Sequence, residues 1–407
     1  MTTKPKFTEK KYLITLLCVT ALFMLWGIAI TMGDVLNKHF QNVLGVSKSE
    51  SGLVQFSIFG AYAVMGIPAG LFMKRFGYKN GVLLGLSLYA FGAFLFVPAA
   101  NAESFGYFRI ALFILACGLA TLETVAHPFV AALGNQRTSD QRINFAQSFN
   151  GLGTIIGPVI GSYFILRGSG IDGTLDSVKT LYIVIGCVIA AFALIFSTLK
   201  IPALSTNFED ENEAQIDKPI APKKKLFQHR HFKWAIAAQF FNAAAQGGTW
   251  AFFINYGHEI MGFSDELAGY YFALSMVFMT IGRFAGTFLM KYLAPNKLLS
   301  IFAFANIVMC VIIGGAWGWP SFVALLMLNF FFSIMFPTIF SLGLKNLGPH
   351  TQQGSSFIVM GVVGAAFFPY FMGSIADHYG ISQAYYLPII CYLIIFLFGS
   401  IFYKVKG

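Results

Sequence analysis

The residues best placed to do chemistry are Glu123 and His127, within the run Leu-Glu-Thr-Val-Ala-His-Pro-Phe-Val-Ala-Ala-Leu-Gly-Asn at 122–135. Their i, i+4 spacing stacks both side chains on one helix face. The surrounding run is too apolar for the surface of a soluble protein, and a carboxylate inside a membrane costs about 3 kcal/mol on insertion scales, so Glu123 is expected to be functional, with a hydrogen-bonded tie to another span as the structural alternative. An imidazole, with an ordinary pKa of about 6.5, exchanges protons at working pH. Two roles fit His127. It either shares a proton with the Glu123 carboxylate, or stays neutral and supplies one donor and one acceptor, as an amide would. Pro128 follows and has no N–H for the carbonyl of Thr124, which predicts a kink beside the pair.

A second acid, Asp34, lies in Thr-Met-Gly-Asp-Val at the end of the first apolar run, about two helical turns outward from Glu123. Two acids at different depths predict a proton path, with interfacial solvation as the alternative for Asp34. Gln147 and Asn150 stand at i, i+3 and are followed by Gly151, Gly153 and Gly157, which permit close helix approach. Asn242, Gln246 and Trp250 recur every four residues. Such a stripe suits a sugar, whose hydroxyls need donors and acceptors while its C–H faces lie on an aromatic ring. Amides also tie helices together in membranes, so each of these residues has a structural reading too. Asn255 and Asn329 are weaker candidates of the same kind. Arg283 has two readings, a cytoplasmic gate anchor or the balance for an acid. A phosphate-cradling glycine loop with its lysine, a Cys/His metal cluster and a nucleophile elbow are all missing from the sequence. The expectation is a protein that is not an enzyme, needs no cofactor or metal, and draws on an ion gradient, with the proton as coupling ion.

The elements that must hold these residues follow from composition. Over 407 residues, 57% are hydrophobic and only 11% charged, against roughly 25% charged in soluble domains. At about 20 apolar residues per crossing, the chain predicts an all-α membrane protein of twelve spans: 12–36, 51–73, 80–99, 106–133, 143–166, 180–199, 232–257, 267–290, 297–316, 320–344, 354–376 and 382–403. The first run is too long for the core of a signal peptide. Lys and Arg sort by side. Alternate segments hold only Lys38, Lys48, Arg109, Arg167 and Lys179, Arg283 lies within a span, and the remainder fall on the other side. By the positive-inside rule both termini are cytoplasmic, and this placement argues against nucleic acid as the partner of a chain with net charge +10. The five cysteines all lie in apolar runs and read as packing residues. A charged, proline-containing linker divides the chain into a six-helix bundle at 1–199, the linker at 200–231 and a second bundle at 232–407. Its Lys223–Lys225 run has anionic lipid as one reading and ordinary topology as the stronger one. The halves echo each other: Ala69-Gly70-Leu71-Phe72 recurs as Ala285-Gly286-Thr287-Phe288, and Pro128…Leu133-Gly134 as Pro337…Leu342-Gly343.

At these residues the sequence resembles the L-fucose/proton symporter family, a sugar branch of the major facilitator superfamily. The segments that carry the resemblance span nearly the whole chain: 25–36, 68–79, 122–130, 146–150, 281–287, 336–348 and 354–360. The resemblance implies two six-helix bundles with a site between them, proton-driven uptake of a monosaccharide, fucose first, and a bacterial inner membrane. The bilayer, protons and the sugar are then the partners of a monomer. It also implies that Asp34 and Glu123 occupy the family's two acidic positions and that Gln147 and Asn150 lie on its sugar-facing span. Several residues depart from the family pattern. His127 replaces an Asn, Gly33 an Asn, Phe336 a Tyr and Asn255 an Arg, and Lys74 stands where the superfamily loop has Asp. Another hexose or an amino sugar is the alternative substrate, and a drug/proton antiporter the alternative of a different class.

Overall fold

The computed structural model describes residues 7–134, 138–167, 175–199, 226–347 and 351–405, and among them all regular structure is helical. The α-helices are α1 (Leu13–Leu44), α2 (Lys48–Ser51), α3 (Leu53–Phe94), α4 (Phe96–Asn101), α5 (Phe105–Ala132), α6 (Ser139–Gly161) and α7 (Leu175–Thr198). After them come α8 (Arg230–Ala251), α9 (Phe253–Met261), α10 (Asp265–Leu289), α11 (Pro295–Gly314) and α12 (Trp319–Phe332). The last are α13 (Met335–Gly343), α14 (Thr351–Met360), α15 (Gly364–Tyr379), α16 (Ile381–Ala384) and α17 (Pro388–Leu397). Residues 200–225 of the expected linker lie outside the described residues.

Among the described residues, ten helical runs are long and apolar enough to cross a membrane. One of them holds two expected spans, because α3 continues through a kink at Gly77, whose φ of 83° favours glycine. The expected span 232–257 falls short on apolar character and is nonetheless helical, as α8 and α9; its amides dilute its hydropathy. Counted this way, the helices match the twelve expected spans. One local expectation changes. Helix α1 continues two turns past the expected end at 36 and stops at Gly45, which has a φ of 64°. At the expected kink, Pro128 is an interior residue of α5, which continues to Ala132 as one helix.

The buried apolar residues form two clusters. One is built from Tyr12 to Phe196 with Ile254 and Ala268, the other from Leu226 to Phe398. In the first bundle α1 lies directly on α6. A Cβ on Gly153 would come within 2.2 Å of the Met24 carbonyl oxygen, so only glycine allows that approach.

The bundles meet where α6 packs on α10 and where α2 and α3 pack on α15. Their polar contacts gather at one end. Asn42 Nδ2 donates to Asp265 at 2.6 Å, Lys38 approaches the same carboxylate at 3.8 Å, and Lys48 pairs with Glu259 at 3.1 Å. Asp377 accepts from the backbone N–H groups of Lys48 and Ser49, both at 2.9 Å. At the opposite end, Ile281, Phe284 and Phe288 of α10 and Val64, Ile67 and Leu71 of α3 are exposed.

Candidate functional site

Four helices of the first bundle bring the leading candidates together at mid-depth. Helix α5 carries Glu123 and His127, both half-buried. A helical side chain leans back over the preceding turn, so the His127 ring reaches the main-chain carbonyl of Glu123. Nδ1 lies 2.9 Å from that oxygen. Of the two roles that fit His127, a bond to the Glu123 carboxylate and an amide-like donor and acceptor, the ring's contacts are of the second kind, with Nδ1 on the backbone. Its Nε2 meets the Gln147 amide nitrogen of α6 at 2.7 Å. Phe23 of α1 packs edge-on against the ring, with centroids 4.9 Å apart, and fixes its plane.

The partners determine the tautomer. A carbonyl oxygen can only accept, so Nδ1 carries the proton and Nε2 of the neutral ring accepts from the amide of Gln147. Beside this pair, the Glu123 carboxyl lies within hydrogen-bonding reach of the Tyr62 hydroxyl on α3. Tyr62 also accepts a hydrogen bond from the indole Nε1 of Trp26 on α1. Sequence reasoning missed Trp26 and Tyr62. A single aromatic in a chain with 46 Phe and 17 Tyr carries no signal by itself, and the pairing joins residues 36 positions apart.

Asp34 is elsewhere. It is 4% exposed and accepts from Gln55 Nε2 of α3 at 2.6 Å, which removes the solvated, interfacial reading. Eight residues of α1 separate it from Trp26, about 12 Å along the axis, toward the closed end of the molecule. Asn150 is buried, and its amide donates to the Phe23 carbonyl of α1 at 3.2 Å, so it ties helices.

The second bundle places its candidates differently. Trp250 is buried and donates from Nε1 to Asn329 at 2.8 Å, and Asn329 donates on to Ser275 at 2.9 Å, a chain that joins α8, α12 and α10. Asn242 is fully buried, whereas Gln246 is half-buried, so only the middle of the expected stripe reaches open space. Asn255 pairs with Gln41 of α1 at 2.6 Å and belongs to the closed end between the bundles. Arg283 is exposed on α10. Among the described residues no group of three His, Cys, Asp or Glu is placed to hold a metal ion.

This arrangement offers a half-open carboxylate, an imidazole held in one tautomer and an amide with unused capacity, set against aromatic rings. It can exchange protons and hydrogen-bond a polyhydroxylated ligand.

Comparison with known proteins bears on that chemistry. Residues 12–363 match the Major Facilitator Superfamily. The chain is 37% identical over 412 residues to the L-fucose-proton symporter of Escherichia coli, covering 96% of this chain and 93% of that one. It is 35% identical to a glucose/galactose transporter of Brucella abortus, covering 97% and 95%. Among solved structures, the transporter FucP in its outward conformation superposes with a TM-score of 0.67 at 35% identity, covering 98% of this chain and all of that one.

Proposed function

The chain belongs to the major facilitator superfamily, and within it we propose a proton-coupled symporter that takes up a monosaccharide, L-fucose first, by alternating access. The observation that carries this reading is the mid-depth group itself, in which Glu123, His127 and Gln147 stand beside Trp26 and Tyr62 within a membrane bundle. Relatives matched over nearly their whole length and named for sugars support the substrate class.

In this reading Asp34 and Glu123 carry the coupling proton with His127 beside them. Glu123, Gln147 and Gln246, the half-buried members, meet the sugar from the two bundles. Asn150, Trp250 and Asn255 shape the cavity through the ties described above, and Asn242 lies behind it. The bundles are residues 1–199 and 232–407. The closed end is the outer one, since the Lys and Arg bias puts the termini in the cytoplasm. The chain then sits in the bacterial inner membrane as an inward-open monomer. An overlap of 0.67 with an outward structure, at 35% identity and near-complete coverage, fits two bundles tilted in opposite senses.

The relative named for glucose and galactose favours a second substrate reading, a hexose other than fucose. Proteoliposomes with an imposed proton gradient decide between them. Labelled L-fucose is expected to accumulate above its external level and to leave on adding a protonophore. Accumulation of glucose or galactose alone selects the second reading, and failure of every monosaccharide to accumulate refutes symport of sugar.

A further inference from the structure

The bonds at His127 do more than place it near Glu123. Nδ1 faces the Glu123 carbonyl at 2.9 Å and Nε2 faces the Gln147 amide at 2.7 Å. Both ring nitrogens are therefore engaged, and Phe23 prevents the ring from turning away. In the neutral state Gln147 gives one N–H to Nε2, which leaves its carbonyl oxygen as the main group it shows to the open side. A proton arriving at Nε2 turns that nitrogen into a donor. Two donors cannot face each other, so the Gln147 amide must rotate to offer its oxygen to the ring. Its two N–H groups then face outward.

We infer that protonation of His127 inverts the hydrogen-bonding polarity of Gln147 toward the bound ligand, which makes His127 a positioning residue that couples a proton to sugar recognition. The inference rests on the symport reading above and deepens it. An acceptor-only atom of a sugar, such as its ring oxygen, meets a carbonyl oxygen in the neutral state and an N–H donor in the protonated one. Binding at that atom favours the protonated ring, and the protonated ring favours binding, because the linkage is reciprocal. An amide in place of the ring would donate and accept but could not titrate. Few charges compete for it. From α5 the ring is faced by Glu123, from α3 by Tyr62 through that carboxyl, from α6 by Gln147 and from α1 by Phe23 and Trp26.

Equilibrium binding of L-fucose, D-glucose and D-galactose to the purified full-length protein in nanodiscs tests this without a gradient. Affinity is measured over a range of pH. The wild type is expected to lose affinity as pH rises through this range. His127→Asn is expected to bind with a pH slope shallower by up to about tenfold per pH unit, one proton fewer per sugar bound. Gln147→Glu, whose carboxylate accepts from a protonated ring, is expected to move the falling limb to higher pH whatever its absolute affinity. A His127→Asn slope equal to the wild type, or a Gln147→Glu limb that does not move, overturns the inference and leaves symport standing. If the wild type binds none of the three sugars, both readings fall. Nitrogen-15 spectra of histidine-labelled protein, with His127 assigned by difference from His127→Asn, give a readout that needs no sugar. They are expected to show the Nδ1–H tautomer at high pH, and an Nε2–H tautomer there overturns the inference as well.

Discussion

Each of the two acids has its own surroundings, and those of Asp34 predict a phenotype. Asp34 is sealed against Gln55, and neutralising it mimics the protonated carrier. Asp34→Asn is expected to abolish gradient-driven accumulation while retaining sugar exchange across the membrane. A variant that still concentrates sugar with wild-type pH dependence contradicts the assignment. At the end away from the closed contact between the bundles, His231 is buried and donates from Nε2 to the Lys345 carbonyl at 2.8 Å. Burial lowers its pKa, and the bond to Lys345 only partly offsets this. The unfolded chain then binds the extra proton more readily, so the penalty is absent above about pH 6.5 and grows as pH falls below it. Thermal melting in detergent is expected to weaken on acidification less for His231→Gln, which keeps the donor, than for the wild type. Glu123 and His127 were legible in the sequence because titratable groups are rare in apolar runs. Their partners were not, because an i, i+4 pattern does not say which oxygen of Glu123 the ring meets.

Helix breaks and glycine seams carry the next level of argument. The second bundle breaks its crossing at Phe252, between α8 and α9. Carbonyls freed near such a break need donors inside a membrane. Tyr385 supplies one to Thr249 at 3.1 Å, and Asn37 of the other bundle supplies one to Ala251 at 2.7 Å. The break is thereby part of the closed contact between bundles. Asn37→Leu is expected to cost the closed state about 1–3 kcal/mol by leaving that carbonyl unpaired, read as a fall in melting temperature. In the first bundle the contact of Gly153 with Met24 leaves no room for a side chain. Gly153→Val is expected to destabilise the protein by roughly 1–3 kcal/mol through overpacking, and a melting temperature equal to the wild type would refute the seam. The run of small residues was visible in the sequence, whereas the break at Phe252 was not, since no proline or glycine stands there.

For the whole molecule, the closed end is a latch with its charges divided by bundle. The first bundle supplies Lys38 and Lys48, and the second supplies Asp265, Glu259 and Asp377. Asp265 is the central member, since Asn42, Lys38 and His258 all converge on a carboxylate that is 9% exposed. The Lys48–Glu259 pair is more exposed and contributes about 0.2–1 kcal/mol, less at high salt. Asp265→Ala is expected to weaken the closed form by about 1–3 kcal/mol, which moves the ratio of forms closed and open at this end by roughly 5- to 150-fold. Spin labels on α2 and α16 would report this as a longer distance population. Lys48→Glu should act in the same direction more weakly, and adding Glu259→Lys should restore closure. An unchanged distance distribution in Asp265→Ala would show that the latch does not set the equilibrium.

Local composition by itself determined that the chain is helical, crosses the membrane about twelve times in two halves and carries acids at two depths. Apolar length, the side preference of Lys and Arg and the rarity of buried charge all act over one turn or one span, so they are written along the chain. Tertiary structure alone decided which polar groups meet. Asn37 and Ala251 are 214 residues apart, as are Gln41 and Asn255, and each pair forms only because two bundles close at one end. The same holds for the stripe Asn242, Gln246 and Trp250. Helical spacing put the three on one face, but packing of α8 against α13, α15 and α17, with Trp250 set against Phe272 and Asn329, buried Trp250 and Asn242 and left only Gln246 half open. Spacing defines a face of a helix, and packing against neighbours decides what that face meets.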